Sequence, residues 1–169
     1  KVLYNLPAVI EAKKKGKTIW VVEGEKDAET LIALGEVATT MPGGAGKWLR
    51  IHTEALAGAT IDIVADNDEV GRKHAVAVKN ELKEAGCDVQ AWVCPREKDI
   101  TDFLLTGGDT MDLAVLVPED IDCIPLEETP EAEYEEEVEP PQTTETVDER
   151  PLTKVEETVE RLRLLLSKD

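Results

Sequence analysis

Through residue 108 the chain alternates between two kinds of hydrophobic pattern. TIWVVEGE (18–25), EVATT (36–40), IDIVAD (61–66) and DVQAWVCP (88–95) are short runs rich in β-branched and apolar residues, and each reads as a strand. Between them the apolar positions take helical spacing. PAVIEAKKK (7–15) is a short basic helix ended by Gly16, and WLRIHTEAL (48–56) is a second helix. DAETLIALG (27–35) sets Leu31 and Leu34 on one side and stops at Gly35. EVGRKHAVAVKNELKEAG (69–86) is a long amphipathic helix with Ala75, Val78, Leu82 and Ala85 inward. DITDFLLTGG (99–108) is a short helix closed by glycines, and MPGGAGKW (41–48) is a glycine-rich loop. Strands that alternate with helices imply βαβ units, so the expected fold is α/β, a mainly parallel sheet flanked by helices.

The pattern changes after that. EETPEAEYEEEVEPPQTTETVDERP has little to bury and many like charges, which predicts a disordered acidic linker over 119–150. Helical periodicity returns in 151–169, where Leu152, Val155, Val159, Leu162 and Leu166 form an apolar stripe. Two heptads make a marginal helix alone, so this segment is expected to dock on the core, on a partner, or on a second copy through 152–166. The expected organisation is a flanking helix in 1–16, an α/β domain in 17–118, the linker, and the C-terminal helix.

Composition narrows the chemistry. The chain has 169 residues, a formal net charge of −18 and six aromatic side chains, so its core must rest on Val, Ile, Leu and Ala. Residues 1–117 carry 19 acidic and 14 basic side chains, whereas 118–169 carry 18 and 5. Such an acidic chain binds nucleic acid poorly without a local basic patch or bound metal, because Lys and Arg neutralising phosphate supply most of that affinity. Cys87, Cys94 and Cys123 form no CxxC pair, which argues against a zinc site or a disulfide framework and for buried thiols in a reducing compartment. No apolar stretch is long enough to span a bilayer, so no membrane partner is expected. A start at Lys1 rather than Met reads as a piece of a longer protein.

The acids carry the sharper signal. IDIVADNDEVGR ends an apolar strand in Asp66, Asn67, Asp68 and Glu69. Asp66 and Asp68, two residues apart on extended backbone, can point the same way, and a divalent cation such as Mg²⁺ relieves their repulsion. The competing reading is a solvated turn or an N-cap for the helix over 69–86. Glu23 ends the other strongly apolar strand, with Gly24 placed to let the chain turn tightly, and adjacent parallel strands bring Glu23 toward Asp66. Asp99 and Asp102 follow the strand over 88–95 and complete an expected metal cage at the carboxyl ends of three strands, where ligands of open α/β sheets gather. Lys26, Lys47, Arg72 and Lys73 are the bases nearest these acids in sequence. Gly46-Lys47 resembles the end of a Walker A loop, but Met41 and Trp48 break that motif, so the loop can cradle phosphate only in a looser way. His52 and His74 have no metal spacing and read as non-catalytic.

VVEGEKDAETL, IVADNDEVGRKHA and EKDITDFLLTGG together resemble the Toprim domain, a Rossmann-like domain of bacterial-type primases, topoisomerases and some nucleases. The resemblance spans 17–108. The EGEKDA, GGAGKW, DND-x-x-GR and KD-x-x-D-x-L forms look most like phage and plasmid primases or primase–helicases. Topoisomerases read DxDxE, whereas here Glu69 directly follows Asp68. The resemblance implies metal-dependent nucleotidyl transfer, with primers made on single-stranded DNA from nucleotides in the cytoplasm of a bacterial or phage-infected cell. It implies Mg²⁺ (or Mn²⁺) held by Glu23, Asp66 and Asp68, with Asp99 and Asp102 as the third acidic position. Glu23 would double as acid or base, Lys26, Lys47, Arg72 and Lys73 would touch nucleotide or DNA phosphates, and a helicase or other replication protein would be the partner. A Toprim nuclease and a non-catalytic recruitment module are the rival readings; reaction products separate primer synthesis from nuclease cleavage.

Overall fold

The computed structural model describes residues 2–43 and 46–117. The expected acidic linker and C-terminal helix, with Cys123, lie outside the described residues.

The elements run α1 (Leu6–Lys14), β1 (Ile19–Val21), α2 (Glu25–Ala33), β2 (Ala38–Thr39), α3 (Arg50–Leu56), β3 (Thr60–Ala65), α4 (Glu69–Glu84), β4 (Asp88–Val93), α5 (Ile100–Leu105) and β5 (Ala114–Val115). One sheet holds all five strands in the order β2-β1-β3-β4-β5. The first four pair in parallel, with Val21 opposite Ile63 and Ile63 opposite Ala91. The fold is therefore the expected α/β sheet flanked by helices.

Burial follows the two-residue period of the strands. Ile19, Val21, Ile61, Ile63, Val89 and Ala91 pack in one core with residues of α1, α3 and α4. Val22, Val64 and Cys94 pack in the other core with α2 and α5, around Leu31, Ile100 and Phe103. Both faces are covered, which is why the strands read as almost continuous apolar runs. Cys87 and Cys94 are free buried thiols. Ala75, Val78 and Leu82 face inward as their spacing requires, while Ala85 is half-buried at the C-cap of α4. Among the described residues no helix is long and apolar enough to cross a membrane.

Three details depart from the pattern-based expectation. The run 18–25 is strand only over Ile19–Val21, because Glu25 already opens α2. Gly24 is the N-cap of α2 in the bend between β1 and the helix, and its φ of −123° and ψ of 155° make that turn without a backbone angle that only glycine adopts. The antiparallel strand β5 was not expected at all; its two residues are both exposed, so they carry no periodic signature.

The connections position the site. From β1 the chain moves to β2 at one edge, with α2 on one face; from β3 it moves to β4 on the other side, with α4 on the opposite face. The directions diverge between β1 and β3, which makes their carboxyl ends the topological switch point, where such sheets open a crevice.

Phe103 is completely buried. Its ring also lies 2.5 Å from where a Cβ on Gly108 would stand, and the Arg96 guanidinium sits 5.6 Å from its centroid. Phe103→Ala is expected to lower unfolding stability by about 3–5 kcal/mol through the lost burial and the cavity left behind, as measured by urea denaturation.

Candidate active site

Glu23 follows β1 and Asp66 follows β3, and because these strands pair directly their ends lie side by side. The Asp66 backbone N–H points to Glu23 Oε1 at 3.4 Å. The helix α4 closes over both at Gly71. A Cβ at that position would stand 2.3 Å from Glu23 Oε1, 2.8 Å from the Asp66 carbonyl oxygen and 2.9 Å from Asp66 Cβ. Gly71 thus lets the first turn of α4 press against the two acids.

Burial and crowding set the charge state. Burial first, and then the Glu23 carboxylate, push the Asp66 pKa up to about 7. Burial also raises the Glu23 pKa, helped by the charges of Asp68 and Asp27. Asp68 is different. It is the N-cap of α4, where its Oδ1 accepts from the Gly71 N–H at 2.8 Å, and this bond holds its pKa below the ordinary value. The capping role weighed from the sequence is therefore present for Asp68. It occupies one carboxylate oxygen and leaves Oδ2 outward.

Asp99 and Asp102 have their own partners, although the Asp99 charge also helps to raise the Asp66 pKa. Asp99 caps α5, accepting from the Asp102 N–H at 2.8 Å. Lys26 Nζ reaches across from α2 to Asp99 at 2.8 Å and Asp102 at 3.5 Å. Burial opposes the Lys26 charge, but the Asp99 hydrogen bond and the nearby carboxylates outweigh it and raise the lysine's pKa. Of the other bases, Lys73 pairs with Glu69 at 2.8 Å, Arg72 donates through Nη2 to Asn67 Oδ1, and Lys47 is exposed at the end of the glycine-rich loop.

Sequence reasoning missed three contributors. Lys98, in the loop before α5, puts its Nζ 3.6 Å from Asp68 Oδ2 and 4.0 Å from Asp66 Oδ2. Its backbone carbonyl accepts from the Asn67 N–H at 2.6 Å, tying that loop to the acidic turn. Asp27 is buried and accepts from Thr101 Oγ1 at 2.6 Å, which joins α2 to α5 beneath Lys26 and Asp99. His74 is buried with its pKa lowered to about 4 by desolvation, accepts from the Gly46 N–H at 3.2 Å, and lines a small cleft with Glu23 and Met41. The dipeptide Lys98-Asp99 was read for its acid alone; Asp27 and His74 carry no spacing signal because their partners lie on other elements.

The donor set suits a hard divalent cation. Asp66 Oδ2 and Asp68 Oδ2 lie 4.0 Å and 3.6 Å from one positive group, the Lys98 ammonium. Among the described residues no three acid, His or Cys side chains are gathered into a metal-ligating group, so the expected five-acid cage is not preformed. Mg²⁺ does not need one, because it is commonly held by one or two carboxylates together with waters and substrate phosphates.

A parallel α/β sheet with acids gathered at its switch point is the class of domain these observations define. A family model described as Toprim-like matches residues 20–104, half of the chain, and the chain belongs to the Toprim family. Toprim domains occur in primases, nucleases and topoisomerases, and they generally bind divalent metals such as Mg²⁺. No curated protein matches the chain.

Two outcomes are expected. Gly71→Ala gains about 1 kcal/mol of helix propensity, but the clash with Glu23 and the Asp66 backbone outweighs it, for a net loss of roughly 1–2 kcal/mol in urea denaturation. Asp66 has a folded pKa of about 7, above its ordinary 3.8, so its share of stability is complete below the ordinary value and is lost as pH rises through about 7. Asp66→Asn removes that slope. At alkaline pH it should exceed the wild type by roughly 2 kcal/mol, a figure reduced for solvent exposure and for the Lys98 partner; stability curves for both proteins across this pH range check it.

Proposed function

We propose that this Toprim domain catalyses metal-dependent nucleotidyl transfer, making primers on single-stranded DNA as part of a primase or primase–helicase of the phage and plasmid type. The observation that carries the reading is the meeting of Glu23 and Asp66 at the switch point, where burial raises both pKa values and the Glu23 charge raises that of Asp66 further. Two crowded carboxylates, one titrating near neutrality, suit a site whose charge is balanced by a divalent cation and a phosphate. The primase choice rests on the EGEKDA, DND-x-x-GR and KD-x-x-D-x-L forms.

In this reading Glu23, Asp66 and Asp68 would hold Mg²⁺ or Mn²⁺. The metal supplies charge neutralisation at the transferring phosphate. The residues of the chain do the rest. Glu23, half-buried and with a raised pKa, is suited to take the proton from an attacking hydroxyl. Asp68 fixes the first turn of α4 while presenting its outer oxygen. Lys47, Arg72 and Lys73 lie on the loop and helix next to the crevice and would meet nucleotide or DNA phosphates. Lys26, bound to Asp99 and Asp102, would hold the α5 side of the crevice together before it touches phosphate. The template is single-stranded DNA, the substrates are nucleotides, and a helicase or other replication protein is the partner in the cytoplasm.

The test incubates the chain with single-stranded DNA, labelled ribonucleotides and Mg²⁺ or Mn²⁺, beside an Asp66→Asn/Asp68→Asn protein that still folds. Products longer than a nucleotide, absent from the double variant, are the expected result. Shortened DNA that depends on the same acids would instead assign the site to a nuclease.

A further inference from the structure

Lys98 occupies the place where positive charge is needed most. Asp68 Oδ1 is engaged by the α4 cap, so Oδ2 is the oxygen it offers outward, and Lys98 Nζ lies 3.6 Å from it. The same ammonium lies 4.0 Å from Asp66 Oδ2. The residue is held there by its backbone, through the 2.6 Å bond from the Asn67 N–H to its carbonyl oxygen. Its side chain, by contrast, is 66% exposed, and both contacts are longer than a hydrogen bond. A tethered residue with a loosely held ammonium can swing away without disturbing the turn.

Lys26 gives the contrast. It makes a 2.8 Å hydrogen bond to Asp99, is 38% exposed, and also pairs with Asp102 at 3.5 Å. That contact joins α2 to α5, whereas the Lys98 contact joins nothing that the Asn67 backbone bond does not already join.

We propose that Lys98 is a built-in counter-ion for Asp66 and Asp68 that an incoming divalent cation displaces, and that the displaced ammonium then binds phosphate beside the metal. This rests on the metal-binding reading of the site. Without such a counter-ion, Asp66 and Glu23 would face each other unrelieved whenever metal is absent. With it, metal must compete with an attached ammonium. The attachment keeps that ammonium within reach of any phosphate the metal draws in, adding a positive charge to a domain that is otherwise acidic.

Mn²⁺ binding, followed through the spectrum of the free ion in the wild type, Lys98→Gln and Asp66→Asn, tests this without any catalytic turnover. Lys98→Gln is expected to bind Mn²⁺ about three- to tenfold more tightly at low salt, with the difference shrinking as salt rises. At saturating Mn²⁺ it is expected to bind pyrophosphate more weakly than the wild type by a similar factor. Mn²⁺ binding seen only in Lys98→Gln also supports the proposal, because the lysine then wins the competition. If the wild type binds Mn²⁺ through Asp66 and Lys98→Gln binds it equally or less well, displacement is wrong while the metal reading stands. If neither protein binds Mn²⁺, both fail. An unchanged pyrophosphate affinity overturns the phosphate role.

Discussion

The structure depends on setting two acids, Glu23 and Asp66, side by side at the end of a buried parallel sheet, where the Asp66 N–H points to the Glu23 carboxylate. Both are half-buried, burial opposes the charge of each, and the Glu23 carboxylate adds to the cost of charging Asp66. A fold built only for stability would place an apolar or neutral pair there. Here the neighbouring elements are arranged around the crowding: Gly71 removes the side chain that would separate α4 from the acids, and the pairing of β1 with β3 leaves the strand ends no room to diverge.

Positive charge is distributed around this crevice in two different ways. On the α5 side, Lys26 sits between Asp99 and Asp102, and buried Asp27 with Thr101 fixes the helices beneath it. That half is a structural clamp. On the β3 side, Lys98 faces Asp66 and Asp68 across longer distances from an exposed position. Lys26 holds its two acids closely and Lys98 holds its two at longer range, so these four acids fall into two groups with different counter-ions. The glycine-rich loop enters from a third side, held by its Gly46 N–H to His74 on α4.

Much of the fold was legible in the residues because the relevant forces are local or periodic. The strand runs at 61–66 and 88–95 and the helix at 69–86 declared themselves through side chains that must be buried on both faces or on one. The acids Glu23 and Asp66 stood out because each interrupts an apolar run at its end. Gly24 and β5 show where such reading fails. A glycine at a bend suggests a special backbone angle, yet Gly24 is extended, and the glycine that matters, Gly71, lies inside a helix where its reason is a contact from another strand. The strand β5 has two exposed residues and exists only because Val93 and Trp92 offer it an edge.

By itself, then, the sequence determined the alternation of strands and helices, the apolar cores on both faces and the identity of the acids at the strand ends, since burial and period act over a few neighbouring residues. Only the tertiary structure decided which acids meet. The strand order places β3 beside β1 and sets the switch point between them, and this strand pairing joins residues more than forty positions apart. The same long-range placement gives Asp99 and Asp102 to Lys26, and Asp66 and Asp68 to Lys98, because an ion pair depends on distance in space and leaves no periodic mark along the chain.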